Sequence, residues 1–149
     1  MTYSGDAGSY GILANVAIDC SAADTLSGAA WSFGAGSHSL SATATDYAGN
    51  TGSGSASFTV TVSAADLDTL THQFIHGAAP YTLPAFMKAI VDVQVSITDL
   101  VLRAIGPKTT ASHKHAVIAS YDASIQTLAR EGWLTASKAS TLIGLAAAL

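Results

Sequence analysis

The sequence predicts an α+β chain in two parts, a β-sandwich followed by an up-and-down bundle of about four helices. In residues 1–63, apolar and small polar side chains alternate with the period of a strand. In residues 64–149, apolar side chains recur three and four positions apart, which is the period of a helix. All six Lys and Arg residues also follow residue 63. We therefore assign residues 1–63 to a β domain and residues 64–149 to a helical domain.

The β domain is predicted from alternating stretches that turns separate. The stretches are residues 10–20, 39–45 and 55–62. Residues that favour turns concentrate at residues 24–28, 34–36 and 46–50. Trp31 and Phe33 indicate a further short strand, which gives four or five strands. Short strands with regular turns favour a β-sandwich whose sheets each have one solvated face.

The helical domain begins with a capping signal. Ser63 and Asp66 have the spacing of a capping box, in which the N-cap side chain accepts a hydrogen bond from a free backbone N–H. An apolar stripe follows, and Gly77 is expected to end this first helix.

Three more helices are predicted, at about residues 84–105, about residues 111–130 and after Thr135. In the helix at residues 84–105, the side chains expected in the core are Phe86, Ile90, Val93, Ile97, Leu100 and Val101. The core of the next helix is expected to contain Val117, Tyr121, Ile125 and Leu128. The last helix is expected to bury Ala139, Leu142, Ile143, Ala146 and Leu149. Short connections make consecutive helices antiparallel neighbours.

The composition favours an extracellular protein. Charged residues make up 11% of the chain and its formal net charge is -4, so it lacks the basic patch that nucleic acid requires. No apolar run approaches the ~18 uninterrupted residues of a membrane span. Abundant Ser and Thr keep the surface soluble through hydroxyl groups, which suits a secreted or surface protein or one that packs against its own copies. A cytosolic Ala-rich protein is the alternative.

Several motifs of the β domain occur together in a known family. They are Cys20, the turn from Asp24 to Gly28, Gly36-Ser37-His38, the hairpin ATDYAGNTGSGS and the final strand TVTV. With these motifs the chain resembles the bacterial immunoglobulin-like repeats of secreted and surface proteins, including the HYR-like repeats. The resemblance implies an immunoglobulin-like β-sandwich.

The helical domain is similar to a second family. The segments LDTLTHQFIHG, AIGPK and GWLTASKASTLIGLAAAL resemble the small FIMAH-type helical domains that often close such proteins. The two resemblances together imply a non-catalytic extracellular module near the end of a larger multidomain protein.

The β domain departs from the immunoglobulin-like repeats at one strand. A second cysteine of these repeats usually lies in a strand after the Asp-to-Gly turn, but here Gly28 runs almost directly into Trp31. The sandwich is therefore predicted to be incomplete, since an immunoglobulin sandwich has at least seven strands. Cys20 is the single cysteine of the chain, so the family disulfide has no second partner here. We expect a buried thiol, with an intermolecular disulfide as the alternative.

Four histidines are weak candidate metal ligands. His72 and His76 share one helix face at spacing i, i+4, and His113 and His115 lie near the start of the third predicted helix. No Cys, Asp or Glu completes a known ligand motif, and HQFIH lacks the Glu of the zinc-protease motif HExxH. Exposed or interface histidines are the simpler interpretation, and we expect no metal and no cofactor.

Calcium ligands are also weakly indicated at one end of the predicted sandwich. The candidates are Asp19, Asp24, Asp46 and Asn50. Calcium takes about six to eight oxygens, and these four side chains supply too few. Asx-turns explain Asp46 and Asn50 more simply.

Catalytic motifs are lacking in the sequence. There is no GxSxG nucleophile elbow and no phosphate-binding loop, and Glu131 is the single glutamate. We therefore predict that the protein is not an enzyme. Trp31, Phe33, Tyr121 and Trp133 would suit a sugar-binding platform, but ordinary core aromatics are the simpler interpretation.

The sequence predicts a structural or adhesive extracellular module that assembles with its own copies or binds other extracellular proteins. The low charge favours self-assembly into a filament or lattice. The alternative is a ligand-binding module, for glycan or metal, of a larger secreted protein. An incomplete sandwich needs cover, and we expect a strand from another copy to supply it, with Met1–Ser9 as the donor. The helices of the same chain are the alternative cover.

Overall fold

The chain is α+β, as the sequence predicts. The computed structural model describes residues 3–4, 8–20, 24–45, 47–77 and 85–149. The chain divides into two compact units, Met1–Thr61 and Val62–Leu149, which we call the β unit and the helical unit.

Six strands are described in the β unit. In chain order they are β1 (Tyr3–Ser4), β2 (Ser9–Gly11), β3 (Asn15–Cys20), β4 (Asp24–Ala29), β5 (Gly36–Thr45) and β6 (Thr51–Thr61). One sheet has the antiparallel order β1-β3-β4, and the other has the order β2-β6-β5. In the second sheet β2 runs parallel to β6, whereas β5 and β6 form an antiparallel hairpin.

Strand β4 replaces the turn that the sequence predicts at residues 24–28. All six of its residues pair with β3, and Leu26 lies opposite Ile18. Asp, Ser and Gly at these positions suggested a turn, but strand preference depends on context and pairing overrides it here. The strand predicted around Trp31 is also wrong, because Ala30–Phe33 form a short 3-10 helix.

The predicted strand at residues 10–20 is divided between the two sheets. Residues 12–14 form a turn in which the Ala14 N–H donates to the Gly11 carbonyl at 2.9 Å. The chain thereby passes from β2 in one sheet to β3 in the other. The alternation survives this break, since Ile12, Val16 and Ile18 are fully buried.

Phe58 is the centre of an aromatic cluster in the β unit. Its ring contacts Tyr10 edge-on at 5.7 Å between centroids and Phe33 edge-on at 5.5 Å. His38 stacks on Phe58 at 5.2 Å, and its Nε2 lies 3.1 Å from the Gly34 carbonyl oxygen. Edge-to-face aromatic pairs contribute about 0.5–1.5 kcal/mol beyond their buried area. The cluster thus joins β2, β5, β6 and the 3-10 helix.

The helical unit has four described helices. They are α1 (Ala64–His76), α2 (Ala85–Leu102), α3 (Ala111–Arg130) and α4 (Ala136–Ala146). α1 packs against α2 and α4, and α3 packs against the same two helices, so the four close a ring. The capping box is confirmed, since Ser63 Oγ accepts from the Asp66 N–H at 3.1 Å and donates to the Asp66 carboxylate. Thr110 and Thr135 cap α3 and α4 in the same way.

The end of α3 forms a Schellman motif. The Trp133 N–H donates to the Leu128 carbonyl at 2.9 Å, and the Gly132 N–H donates to the Ala129 carbonyl at 3.1 Å. These bonds satisfy carbonyls that the helix end would otherwise leave free. Gly132 has a φ of 83°, a left-handed conformation that glycine adopts without steric cost.

The α2 helix buries a different face from the one predicted. Ile90, Val93, Ile97 and Leu100 are exposed, and Val101 is half-buried. The side chain of Phe86 lies outside the described residues. The buried positions of this helix are instead Val91, Val95, Thr98 and Leu102. Both stripes are apolar and have helical spacing, so only the packing of α2 against α1 and α3 distinguishes them.

Most of the other predicted core positions of the helical unit are buried. Val117, Tyr121, Ile125 and Leu128 of α3 are buried as predicted. In the last helix Ala139, Leu142 and Ala146 are buried, whereas Ile143 and Leu149 are half-buried.

Candidate functional site

The predicted pair of histidines lies on one face of α1. The His72 and His76 rings stack at 5.8 Å between centroids with an interplanar angle of 19°. His72 Nε2 is 3.8 Å from Asp68 Oδ1, one turn earlier on the helix. Asp68, His72 and His76 thus form a polar row along α1.

The second pair of histidines is placed separately, at the start of α3. His113 lines a cleft with residues 103–110, and both His113 and His115 are exposed. Among the residues that the structure describes, no three His, Cys, Asp or Glu side chains form a group that could hold a metal ion. The expectation of a metal-free protein stays a prediction.

The calcium candidates fall on different parts of the β unit. Asp19 lies in β3 opposite Thr25, and Asp24 begins β4 opposite Cys20. Asn50 is exposed just before β6. Asp46 lies outside the described residues, as do the side chains of Asp19, Asp24 and Cys20, so the predicted buried thiol stays a prediction.

The four sugar-platform aromatics differ in burial. Tyr121 is fully buried, and its hydroxyl lies 2.7 Å from Thr71 Oγ1 in the core of the helical unit. Phe33 belongs to the aromatic cluster around Phe58. Trp133 is half-buried and its Nε1 donates to Glu131 at 3.2 Å. Tyr121 is therefore a core aromatic and is not available to a glycan.

The polar row of α1 lies near Asp99 of α2 and Arg103, which directly follows α2. Asp68, Asp99 and Arg103 line a groove of about 370 Å³ between the helices. Arg103 Nε donates to Asp99 Oδ1 at 2.6 Å. The pKa of Asp68 is raised, first by burial and then by the neighbouring Asp99 carboxylate, while His72 and Arg103 oppose the increase. Asp68 therefore keeps its proton to a higher pH than an ordinary aspartate does.

The sequence did not predict an exposed apolar surface on α2. We call Ile90, Val93, Ile97 and Leu100 the α2 stripe; their exposed fractions are 52%, 60%, 50% and 71%. A groove of about 300 Å³ lies beside it, lined by Gln94, Ile97, Ala123, Ser124 and Thr127. The sequence pattern that could have revealed this surface is the presence of two apolar stripes on one helix. A helix of a bundle needs only one apolar stripe to pack against its neighbours.

The β5–β6 hairpin offers a second surface. We call residues 39–45 and 51–57 the ribbon. None of these residues is buried, and none carries a charge. β5 is an edge strand, and β2 pairs only with residues 59–61 of β6. Among the described strands, the ribbon therefore consists of two strands without a third.

The two faces of the ribbon differ in chemistry. One face presents Leu40, Ala42, Ala44, Gly52, Gly54 and Ala56. The opposite face presents Ser39, Ser41, Thr43, Thr45, Thr51, Ser53, Ser55 and Ser57. One face is thus small and apolar, and the other bears only hydroxyl groups.

The expected donor segment pairs within its own chain. β1 at Tyr3–Ser4 pairs with β3, and Ser9 at the start of β2 pairs with Thr59 of β6. The other residues of the segment Met1–Ser9 have no described strand. An intramolecular partner has a high effective concentration, which explains why these strands pair in the same chain.

Comparison of the chain with protein-family models, curated protein sequences and solved structures found no significant match. The resemblances to HYR-like repeats and FIMAH-type domains stay predictions. In the part of the chain that the structure describes, no helix combines the length and apolar character that a membrane span requires.

Proposed function

We propose that the protein is a non-catalytic structural or adhesive module, secreted or on the cell surface, whose copies assemble through the ribbon. The observation that carries this proposal is the long β5–β6 hairpin, whose two strands contain no Asp, Glu, Lys or Arg. Its register extends from Gly36 opposite Val60 to Thr45 opposite Thr51. Assembly is the role for which this hairpin is best suited, for the following physical reasons.

The ribbon gains stability when a further strand joins it. An isolated two-stranded hairpin is marginally stable in water, and three or more strands with an apolar face are needed for independent stability. The edge of β5 presents backbone N–H and C=O groups along a strand of ten residues. Pairing with β5 of a second copy satisfies these groups and joins the two three-stranded sheets into one, which is four strands wide along the ribbon.

Devices that normally prevent edge pairing are missing from β5. Natural sheets protect their edges with Lys, Pro, inward charges or bulges. The sequence GSHSLSATAT of β5 contains no charged residue and no proline. Small side chains on one face also allow a close approach of a second sheet.

The finer fold assignment belongs to the same proposal. We infer that the β unit is an incomplete immunoglobulin-like sandwich and that the helical unit is an up-and-down bundle. Support comes from the burial of alternate residues in β2 and β3 and from the ring of four helices. A module of this kind supplies a surface for assembly.

The test introduces charge on the ribbon. In Ser41→Lys/Thr43→Lys, two Lys side chains lie on the exposed hydroxyl face of the edge strand, where like charges from two copies repel. The matched control is Gln126→Lys/Ser140→Lys, which adds the same charge at exposed positions of the helical unit. Light scattering and electron microscopy compare the three proteins over a range of concentrations.

We expect the unmodified chain and the control to associate through the ribbon, at least to dimers, and the ribbon variant to lose this association. An unmodified chain that stays monomeric at millimolar concentration contradicts the proposal. Equal assembly of the ribbon variant and the control also contradicts it, because the ribbon is then not the surface involved.

A further inference from the structure

We propose that the α2 stripe is a second self-association surface, through which two copies of the chain form a dimer. The stripe lies in the helical unit and does not contain any ribbon residue. The inference therefore goes beyond the proposed assembly through the ribbon and does not depend on it.

The first argument is the exposure of the stripe. Its four side chains are half or more exposed, whereas α2 already buries Val91, Val95 and Leu102 against its neighbours. Single exposed apolar residues are normal on a protein surface, but contiguous exposed patches are often functional. Four large side chains in a row on one helix form such a patch.

The second argument is the spacing of the stripe, which fits a second copy of the same helix. Ile90, Val93, Ile97 and Leu100 follow one another at intervals of three, four and three residues. These are the a and d positions of a heptad repeat, whose narrow seam packs against the same seam of another helix. Ile occupies both a positions, and Val and Leu occupy the d positions. Branched side chains at these positions pack as knobs into the holes of a facing helix.

The third argument is the low charge of the positions that flank the stripe on α2. The flanking heptad positions Gln94, Ser96 and Val101 are uncharged. The Glu131 carboxylate next to Gln94 accepts hydrogen bonds from Gln94 Nε2 at 2.9 Å and from Trp133 Nε1 at 3.2 Å. These bonds within the chain reduce the repulsion between two copies of the stripe. Arg103, at the end of the seam, already donates to Asp99 within its own chain.

The fourth argument is the groove beside Ile97. Ala123, Ser124 and Thr127 of α3 form its far wall, and the groove has a volume of about 300 Å³. Small side chains leave a depression next to a ridge, which is the shape that receives a branched side chain from a partner. The stripe alone offers an area on the order of 400 Å² per protomer, or about 800 Å² for two copies, so contact with the groove is needed to approach the ~1,200 Å² total of small stable interfaces.

The test uses the full chain with the ribbon substitutions Ser41→Lys/Thr43→Lys as its parent, so that ribbon assembly does not obscure the dimer. Val93→Glu/Ile97→Glu places two carboxylates in the seam. The matched control is Leu13→Glu/Tyr47→Glu, which makes the same kind of change at two exposed large side chains of the β unit. Analytical ultracentrifugation measures the dimer dissociation constant of each protein.

We expect the parent and the control to dimerise, and the seam variant to dimerise at least about tenfold more weakly, because charges at the centre of an interface lose their solvation. A monomeric parent overturns the inference, and so does a seam variant that dimerises like the control. If the parent still forms large assemblies, the ribbon proposal fails. The seam variant can then still be compared with its control, so the test of the α2 stripe remains valid.

A second measurement does not rely on disrupting the surface. In a Cys20→Ala background, Ile97→Cys provides a single thiol in the seam, and Leu13→Cys provides one outside it. We expect a short bismaleimide to link two copies of the Ile97→Cys protein far faster than two copies of the Leu13→Cys protein. Equal rates of linkage contradict a dimer through α2.

Discussion

Buried polar residues in the helical unit differ in how well they are satisfied. The Thr71 hydroxyl lies 2.7 Å from the Tyr121 hydroxyl and donates to the Leu67 carbonyl at 2.8 Å, all within the core. Burial raises the pKa of Tyr121, so this phenol stays protonated and keeps its hydrogen atom for the pair. Asp68 is less well compensated, because its buried Oδ1 has no hydrogen-bond partner among the described residues and lies 3.8 Å from His72 Nε2.

This difference leads to a prediction about Asp68. Its raised pKa means that the folded chain binds a proton more tightly than the unfolded chain does. Stability therefore falls as the pH rises from the unfolded value of about 3.9 through the folded value. Asp68→Asn resembles the protonated form at every pH. We expect this variant to be more stable than the unmodified chain at pH 7, with a gain that vanishes below about pH 3.9.

Urea unfolding of the full chain between pH 3 and pH 8 measures this difference. The control is Asp92→Asn, which removes a charge from an exposed position on α2. We expect a much smaller change for the control, since an exposed carboxylate keeps its solvation in the folded state. A destabilised Asp68→Asn at pH 7 contradicts the prediction and indicates that the pairing of Asp68 with His72 outweighs the cost of burial.

At the scale of elements, two glycines near the ends of α3 and α4 have opposite effects on their helices. Gly132 has a φ of 83° after α3, whereas Gly144 is exposed within α4. Open space surrounds both positions, since an added Cβ would meet no atom within 4 Å. The two substitutions to alanine therefore differ in backbone conformation and not in packing.

We expect Gly132→Ala to destabilise the protein by about 1–2 kcal/mol, because alanine in a left-handed conformation is strained. Gly144→Ala is expected to stabilise it by about 0.5–1 kcal/mol, because alanine favours a helix interior. Each variant is the control for the other, and thermal unfolding of the helical signal measures both. Changes of the same sign in the two variants are incompatible with this explanation.

Local sequence patterns predict where a helix begins and ends better than they predict which of its faces is buried. The range of α3 is Ala111–Arg130, as predicted, because Thr110 caps its start and a Schellman motif ends it, and both signals are local. The sequence predicts the α2 stripe as part of the core because its residues recur three and four positions apart. The residues that are buried, Val91, Val95, Thr98 and Leu102, recur with the same intervals. A local pattern cannot decide between two apolar faces, since the decision lies in contacts with other helices.

The candidate surfaces show the same limit. The pairing of His72 with His76 follows from spacing on one helix and was predicted. The ribbon was predicted as a strand at residues 39–45 and a strand at residues 55–62, because alternation is local. That no other described strand pairs with the ribbon was not predictable, since this depends on where β2 joins β6, about fifty residues apart in the chain.

At the scale of the whole molecule, two self-association surfaces have a consequence that neither has alone. A surface that pairs with itself by two-fold symmetry closes as a dimer and stops. A chain with two different surfaces of this kind joins one neighbour through each, and its copies either close into a ring such as a tetramer or continue as an open filament. We predict the open filament for the ribbon and the α2 stripe, and the low charge of the chain, with a formal net charge of -4, opposes this growth only weakly.

The filament prediction is tested by capping. The seam variant Val93→Glu/Ile97→Glu retains the ribbon, so it joins a growing end but offers no α2 stripe to the next copy. We expect small amounts of this variant, mixed with the unmodified chain, to shorten the filaments in proportion to the fraction added. The ribbon variant Ser41→Lys/Thr43→Lys is expected to shorten them in the same way through the other surface. Electron microscopy of the mixtures gives the length distributions.

The control for capping is the chain with all four substitutions, which has neither surface. It cannot join an end, so it is expected to leave the filament length unchanged at the same added fraction. If the fourfold variant shortens filaments as much as the single-surface variants do, the added protein acts by a route other than capping. If neither single-surface variant shortens them, growth does not alternate between the two surfaces, and the open filament built from the ribbon and the α2 stripe is wrong.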